Sequence, residues 1–391
     1  MRIFYKIISS LFSLIPTRRI IVFCSNPDFS DNSYAVCKYL ASKGYDSNYY
    51  FYWLIDDTER KTSIEEALCK GNIKSRVAHR KSLYGFWLFL RSRYIFSTHG
   101  IFDKITLCQQ SDKHICLWHG MPLKKIGAMI DGQTPCAPNC NITIATSHYF
   151  QKKMEKAFNL PKDKVVVTGQ PRCDLLYEAT DWFEKEGINR SKYHKIGIWM
   201  PTFRKSIKGS IRVDGIYKEN AISFLNKNQL SDLNSFLKDN STLLLIKIHP
   251  MDALQNEIFP KFDNIIIIYP QDFTSQLYPL LGNCDFLLTD YSSVFVDYEL
   301  LNKPIGFVMN DIEAYNQSRG LDLDNMEEAL PGPILKDFES LCEFIKAPTI
   351  VKRKMNYNEY YDNASCERLI AFLFKLNHKD KLRDIKVSTK M

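Results

Sequence analysis

The chain has 391 residues, 45% of them hydrophobic and 25% charged, which is the composition of a folded protein too long for one core of typical size. Lysine and arginine outnumber aspartate and glutamate by 52 to 44, so the net charge of +8 favours anionic partners such as phosphates or anionic lipid. The basic residues are dispersed and no nucleic-acid module accompanies them, so nucleic acid is not an expected partner. Eleven cysteines without a repeating spacing argue against a disulfide framework.

Residues 1–18 predict an amphipathic helix. Its apolar residues recur at helical spacing: Ile3, Phe4, Ile7, Ile8, Leu11, Phe12, Leu14 and Ile15. Lys6 and Pro16 leave fewer apolar residues than the roughly 20 that a membrane span needs. Two interpretations are open, namely packing on its own domain or, with Arg18 and Arg19, contact with an anionic membrane interface. We favour membrane contact.

Short apolar runs then alternate with helical patterns in two series. The first series predicts strands at 19–24, 48–55, 93–98, 114–118, 141–146 and 164–169, and the second predicts strands at 195–200, 242–248, 264–269, 285–290 and 303–308. Helical patterns between and after them cover 33–43, 148–158, 226–238, 274–281, 292–301 and 357–376. This alternation predicts parallel sheets covered by helices on both faces. We therefore expect two doubly wound α/β domains, at 19–185 and 186–376, followed by a charged tail at 377–391.

The stretch "CLWHGMPLKKIG" (116–127) ends a predicted strand in a histidine and a glycine. His119 would then lie at the carboxyl edge of the sheet, where a neutral imidazole can take a proton from a hydroxyl. Gly120 allows a ligand to approach, and Lys124 and Lys125 add positive charge nearby. A strand-capping histidine with two solvated lysines is the alternative interpretation.

Four further segments place polar side chains after predicted strands. They contribute Arg172 and Asp174 in "VTGQPRCD", Thr202 and Arg204 in "WMPTFR", Lys247 and His249 in "LIKIHP", and Asp290, Ser292 and Ser293 in "LLTDYSSVFVDY". A serine pair at a helix start offers hydroxyls and N–H groups to a phosphate, although a plain helix cap is the alternative. Arg204 offers a planar fork for phosphate oxygens, and His249 can donate to an oxygen that gains charge. Asp290 is expected to orient substrate hydroxyls or a neighbouring cationic side chain.

The sequence contains no glycine-rich phosphate loop and no grouping of carboxylates that would hold Mg²⁺. Cys136 and Cys140 lack a second pair of ligands at matching spacing for zinc. We therefore expect neither a metal ion nor a cofactor. Phosphate charge would be neutralised by arginine, lysine, histidine and helix ends instead.

In this order the motifs resemble those of the CDP-glycerol glycerophosphotransferase family, which builds teichoic acids and related capsular polymers. The resemblance rests on "WHGMPLKKIG", "TGQPRCD", "MPTFR", "KIHP" and "TDYSSVFVDYELLNKPIGF" and covers about residues 95 to 370. It implies a GT-B-like pair of Rossmann-type domains facing across a cleft. It also implies transfer of a polyol phosphate from a CDP-polyol to a hydroxyl of a lipid-linked or polymeric acceptor, at the cytoplasmic face of a bacterial membrane, with release of CMP.

By the same resemblance, His119 would be the base for the acceptor hydroxyl, and His249 with Arg204 would stabilise the breaking pyrophosphate. Ser292 and Ser293 would bind phosphate and Asp290 the donor. We further expect Thr202 and Lys247 on the donor side, and Gly120, Lys124, Lys125 and Arg172 on the acceptor side. Met121 and Gln170 depart from the residues usual in the family, which leaves acceptor and polyol open.

Two other functions are considered. A GT-B glycosyltransferase would share the fold but would use a nucleotide sugar. A non-catalytic, membrane-bound scaffold would share the membrane location, although the survival of both histidines, Arg204 and the serine pair argues against it.

Overall fold

The computed structural model describes residues 15–103, 113–205, 221–273, 275–319, 329–351 and 355–374. The chain forms two compact units, each built on its own parallel sheet. Most of the expected amphipathic helix, at residues 1–14, lies outside the described residues, and so does the expected tail at 377–391. None of the helices in the described ranges combines the length and the hydropathy that crossing a bilayer requires.

The first unit contains seven parallel strands. They are β1 (Ile20–Cys24), β2 (Tyr50–Ile55), β3 (Ser75–His79), β4 (Tyr94–Ser97), β5 (His114–Cys116), β6 (Ile142–Ala145) and β7 (Val165–Val167). Their order across the sheet is β3-β2-β1-β4-β5-β6-β7.

In its described residues the second unit contains six parallel strands and a short antiparallel pair. In chain order the strands are β8 (Lys195–Met200), β9 (Ala221–Ile222), β10 (Leu225–Asn226), β11 (Thr242–Lys247), β12 (Ile265–Ile268), β13 (Phe286–Thr289), β14 (Ile305–Val308) and β15 (Ile334–Leu335). The sheet order is β12-β11-β8-β13-β14-β15, and β9 pairs with β10. Both sheets therefore repeat one doubly wound order, and the prediction of two Rossmann-like α/β domains is confirmed.

Helices connect the strands. They are α1 (Asp31–Ser42), α2 (Lys61–Lys70), α3 (Leu83–Arg91), α4 (His148–Phe158), α5 (Trp182–Lys185), α6 (Lys227–Asp239), α7 (Leu277–Gly282), α8 (Val294–Tyr298), α9 (Ile312–Arg319), α10 (Phe338–Lys346) and α11 (365–374).

The strands are buried because their side chains are apolar on both faces, as parallel sheets between helices require. In β11 the apolar side chains from Leu243 to Ile246 are all fully buried. Close packing also demands a glycine in β8, since a Cβ at Gly197 would lie 2.1 Å from the ring of Phe286. Each buried large apolar side chain contributes about 1.5–3 kcal/mol relative to exposure.

The units divide the chain differently from the predicted boundary at 185/186. The second unit begins at Leu176, and the chain from Asn358 onward belongs to the first unit. Hydrogen bonds help to hold this last segment on the first unit. Asp174 accepts them from the backbone N–H groups of Ser365 (2.9 Å) and Cys366 (2.8 Å). The assignment of residues 358–376 to the second domain is thereby corrected.

In both sheets the strand order reverses beside the first strand, between β1 and β4 and between β8 and β13. Ligands of doubly wound folds bind at this position, outside the carboxyl ends of the strands. The predicted site residues follow those ends or those of the neighbouring strands.

Candidate active site

The second unit holds a buried ionic network centred on Arg204, which follows β8. Its Nε donates to Asp311 Oδ2 at 2.8 Å and its Nη1 to Asp290 Oδ2 at 3.1 Å. Both side chains of the Asp290 and Asp311 pair are only 2% exposed. Burial opposes the charged form of Arg204, yet the two carboxylates raise its pKa above the ordinary value.

Thr202 and Asp290 are committed to the same network. The backbone N–H of Thr202 lies 3.0 Å from both Asp290 oxygens, and its hydroxyl lies 3.0 Å from Oδ2. Arg204 with Asp290 and Asp311 carries a formal charge of 1 − 2 = −1, which does not attract a pyrophosphate. The polar atoms of Arg204, Thr202 and Asp290, which were expected to contact the donor, bond one another in this structure. Asp290 orients a neighbouring cation, the Arg204 guanidinium, which is the second of the two roles expected for it.

Two stacked tyrosines cover this network. The rings of Tyr291 and Tyr315 lie 3.6 Å apart at 8°, with the Arg204 guanidinium 5.2 and 5.1 Å from their centroids. Tyr291 donates to Asp311 at 2.9 Å, and Lys124 donates to the hydroxyl of Tyr315. Lys124 belongs to a segment, Pro122–Lys125, that counts with the second unit. The lysine is therefore held by an aromatic partner and is only partly exposed.

His249 follows β11 and has a defined tautomer. The backbone N–H of Met251 donates to His249 Nδ1 at 3.0 Å, so Nδ1 carries a lone pair and the neutral ring has its hydrogen on Nε2. Burial, with smaller contributions from Lys247 and Lys124, lowers the pKa of His249 to about 4. At neutral pH the side chain is therefore an uncharged hydrogen-bond donor through Nε2.

Three residues predicted to bind phosphate lie outside the ionic network, at the carboxyl edge of the second sheet. Lys247 is partly exposed, and burial lowers its pKa to about 8. Ser292 and Ser293 are also partly exposed and precede α8; Ser292 Oγ accepts weakly from Val294 N–H at 3.4 Å, and Ser293 makes no side-chain capping bond. Their hydroxyl hydrogens can donate to an anion.

His119 lies in the first unit, after β5, and has the opposite tautomer. Its Nδ1 donates to the carbonyl oxygen of Thr98 at 3.0 Å, because a carbonyl can only accept. The Nε2 lone pair is therefore available, and the residue is exposed. The centroid of the imidazole ring lies 4.2 Å from that of the Trp118 ring, and burial of the ring among its neighbours lowers the pKa of His119. The arrangement suits a general base.

The backbone around His119 is strained. Trp118 has φ = 54° and Gly120 has φ = 145°. A bulky residue with positive φ costs free energy and persists only where its surroundings hold it, a feature that clusters at functional sites. The φ of Gly120 lies in the region that glycine tolerates, and its expected role in letting a ligand approach stays a prediction.

The surroundings that hold this loop centre on Asn32, which is fully buried in α1. Its Nδ2 donates to the carbonyls of Leu117 (3.3 Å) and Trp118 (3.0 Å), and to Gln170 Oε1 (3.2 Å). Its Oδ1 accepts from the backbone N–H of Arg172 at 3.0 Å. One amide thus fixes both carbonyls that precede the histidine.

Arg172 also holds the loop that carries His119. Its Nη1 lies 3.0 Å from both carboxylate oxygens of Asp31 and 3.1 Å from the carbonyl oxygen of His119. The residue is 5% exposed, so it supports the loop and does not present its charge to an acceptor. Lys125, which was expected on the acceptor side together with Arg172, is exposed.

The two departures from the family motifs have structural explanations. Met121 is 1% exposed, so its side chain packs inside and does not face a substrate. Gln170 is fully buried and serves as an acceptor for Asn32. No sequence motif marks a further histidine, His99. It follows β4, and burial and Arg80 lower its pKa to about 4.

The described ranges contain no group of three or more histidine, cysteine, aspartate or glutamate side chains arranged to hold a metal ion.

Comparison with known proteins gives one family. The model of the CDP-glycerol:poly(glycerophosphate) glycerophosphotransferase family matches residues 4–375. A teichoic acid poly(glycerol phosphate) polymerase of Bacillus spizizenii is 28% identical over 386 residues, which are 92% of this chain and 91% of the relative. A teichoic acid poly(ribitol-phosphate) polymerase of the same organism is 30% identical, over 70% of this chain and 45% of the relative.

A teichoic acid glycerol-phosphate transferase of Staphylococcus aureus is 27% identical, over 66% of this chain and 70% of the relative. Among solved structures, the wall teichoic acid polymerase TagF superposes with a TM-score of 0.71 at 21% identity, over 96% of this chain and 94% of that one. At that identity the superposition establishes the fold.

Proposed function

This chain belongs to the CDP-glycerol:poly(glycerophosphate) glycerophosphotransferase family, and we propose that it transfers glycerol phosphate from CDP-glycerol to a hydroxyl of a teichoic acid acceptor. The protein is a transferase of that family. Glycerol is favoured over ribitol as the polyol because the family description and the relative that spans nearly the whole chain both name glycerol phosphate.

The observation that carries the mechanism is the opposite tautomers of two histidines at strand ends. His119 donates its Nδ1–H to the carbonyl oxygen of Thr98, so its Nε2 carries a lone pair. His249 accepts at Nδ1 from the Met251 N–H, so its hydrogen is on Nε2. Both rings are neutral near pH 7 because burial lowers both pKa values. One ring can therefore take a proton while the other donates a hydrogen bond.

The step follows from these roles. The acceptor oxygen attacks the phosphorus that bears glycerol, and the bond from that phosphorus to the CMP oxygen breaks. The hydroxyl proton passes to Nε2 of His119, and CMP leaves with the electron pair of the broken bond. His249 Nε2–H donates to a phosphate oxygen that gains charge. A positioned base contributes about 10²–10⁴-fold to such a rate, and fixed donors stabilise the developing charge.

The donor phosphates are held, in this proposal, by Lys247, Ser292 and Ser293. Arg204, Asp290 and Thr202 position those ligands instead of touching the donor, since their polar atoms are satisfied within the ionic network. On the acceptor side, Lys125 supplies exposed charge, and Arg172 keeps the His119 loop in place.

We also propose a peripheral location at the cytoplasmic membrane face, where a prenyl-diphosphate-linked or polymeric acceptor would be presented. The net charge of +8 supports contact with anionic lipid, and the basic amphipathic pattern of residues 1–18 supports it further. Teichoic acid is favoured over capsular polymer because the curated relatives are named for teichoic acid.

The test is CMP release by the purified full chain. CDP-glycerol, CDP-ribitol and a UDP-sugar are each supplied with and without a synthetic prenyl-diphosphate disaccharide acceptor. We expect acceptor-dependent CMP from CDP-glycerol, with phosphorus transferred to the acceptor. Turnover with the UDP-sugar alone would move the chain to the glycosyltransferases. Turnover with CDP-ribitol in preference to CDP-glycerol would overturn the choice of polyol.

A further inference from the structure

One face of helix α3 leaves large apolar side chains in solvent. Leu83 is 91% exposed, Tyr84 52% and Trp87 48%, at spacings that place all three on one side of the helix. The opposite side is ordinary core, with Leu88 and Phe89 almost fully buried. A contiguous group of exposed apolar side chains on a folded protein marks an interaction surface more often than a scattered one.

Basic residues lie at both ends of this face. The Arg91 guanidinium lies 5.3 Å from the centroid of the Trp87 ring, and Arg18 donates its backbone N–H to the carbonyl of Arg91 at 2.7 Å. The side chains of Arg18 and Arg19 are exposed, as is that of Lys81, which precedes the helix. Apolar and aromatic tips between cationic ends are the pattern of a surface that enters a lipid interface.

We propose that the exposed face of α3, with Arg18 and Arg19, is a docking surface for an anionic membrane. Leu83, Tyr84 and Trp87 would enter the boundary between headgroups and acyl chains, and the arginines would bind lipid phosphates. The proposal rests on the membrane location in the proposed function and names the surface responsible for it.

Charge decides against the nearest alternative occupant, the chain's own first 14 residues. That segment carries Arg2 and Lys6 and no acidic residue, so covering α3 with it would bring like charges together. An anionic membrane complements both. The chain enters the described structure at Ile15, which packs on the same apolar cluster as Leu88.

The experiment is vesicle flotation of the full chain with phosphatidylcholine vesicles, with and without phosphatidylglycerol. We expect binding that needs phosphatidylglycerol and falls with salt. Leu83→Ser should weaken that binding about tenfold, as the loss of one buried leucine side chain predicts. Ile258→Ser is the matched control, because Ile258 is 87% exposed in the second unit, and it should leave binding unchanged.

Tryptophan fluorescence locates the contact. Phosphatidylglycerol brominated on its acyl chains quenches an indole that enters the interface, and residues 1–14 contain no tryptophan. Trp53, Trp182 and Trp199 are buried, and the partly exposed Trp118 is the same in both proteins, so the part of the quenching that is lost in Trp87→Phe reports α3 itself.

Equal binding of Leu83→Ser and wild type, or quenching that is undiminished in Trp87→Phe, would overturn the proposal, as would equal binding to vesicles without phosphatidylglycerol. Coverage of the face by a second copy or by residues 1–14 would give those results. Transfer to a water-soluble acceptor should be the same in Leu83→Ser and wild type. A failure of the docking surface is thereby distinguished from a failure of the proposed transferase reaction.

Discussion

The amide of Asn32 makes the sharpest prediction about how the fold positions its base. Asn32→Ala removes the two amide hydrogens that reach three acceptors at 3.0–3.3 Å and the oxygen that accepts from Arg172 at 3.0 Å, all inside the protein. At about 0.5–1.5 kcal/mol for each of three bonds, the free energy of unfolding should fall by about 1.5–4.5 kcal/mol. The carbonyl of Trp118 loses the donor that holds it at positive φ.

The catalytic effect should be larger than a general loss of stability explains. A shift of about 1 Å in a reacting group costs about 10²-fold, so we expect kcat to fall by about that factor while the KM for CDP-glycerol changes little. The assay is CMP release at saturating donor, at a temperature where the variant is folded by circular dichroism. Asn32→Asp keeps the volume and the accepting oxygen but loses the amide hydrogens, and it should lose kcat as well.

Asn139→Ala is the matched control, because Asn139 is also a buried asparagine of the first unit whose Nδ2 donates to two carbonyls, those of Ile101 (3.4 Å) and Phe102 (3.0 Å). It should lower stability and leave kcat near the wild-type value. If kcat of Asn32→Ala stays within about twofold of wild type, or if Asn139→Ala loses as much, the positioning argument is wrong.

Three further predictions test the second unit. Burial lowers the pKa of Lys247 to about 8, so its charge is present below that pH and lost above it, and the KM for CDP-glycerol should rise above pH 8. Lys247→Arg should abolish this rise. A KM that does not change with pH in the wild type would exclude Lys247 as a phosphate ligand. Asp311→Ala removes the bonds that Arg204 and Tyr291 donate to this carboxylate but leaves Arg204 paired with Asp290, so urea titration should show about 1.5–3 kcal/mol of lost stability, and an unchanged midpoint would contradict the network. Gly197→Ala forces a methyl group against Phe286, so the thermal midpoint should fall by the equivalent of about 1–3 kcal/mol, whereas an unchanged midpoint would mean that the ring relaxes freely.

Most strands could be predicted because buried parallel strands are continuous apolar runs. β11 and β13 begin and end within about one residue of their predicted limits, as the physics of two-sided burial allows. β3 was missed because "SRVAH" lies at the sheet edge and has only two buried residues. Helix α3 was missed because "LYGFWLFLR" is apolar nearly all round, so its sequence shows no polar face.

The site was predictable in part for a different reason. Topology alone brings residues that follow parallel strands to one edge, so His119 and His249 could be identified as candidates without knowing their contacts. The role of Arg204 could not be predicted, because its partner Asp311 is 107 residues away in the chain and only the fold brings the two side chains together. Asn32 was missed likewise, since nothing in "SDNSYAV" separates a loop clamp from an ordinary polar residue at a helix start.

The measurement that tests the central claim most directly is CMP release by His119→Ala and by wild type, with CDP-glycerol binding followed by calorimetry on the same samples. The account predicts that His119→Ala binds CDP-glycerol nearly as well as wild type and loses acceptor-dependent transfer, because the Nε2 lone pair that takes the proton is gone. Normal turnover by His119→Ala would contradict that assignment, and loss of turnover in His99→Ala alone would move the base to the neighbouring imidazole.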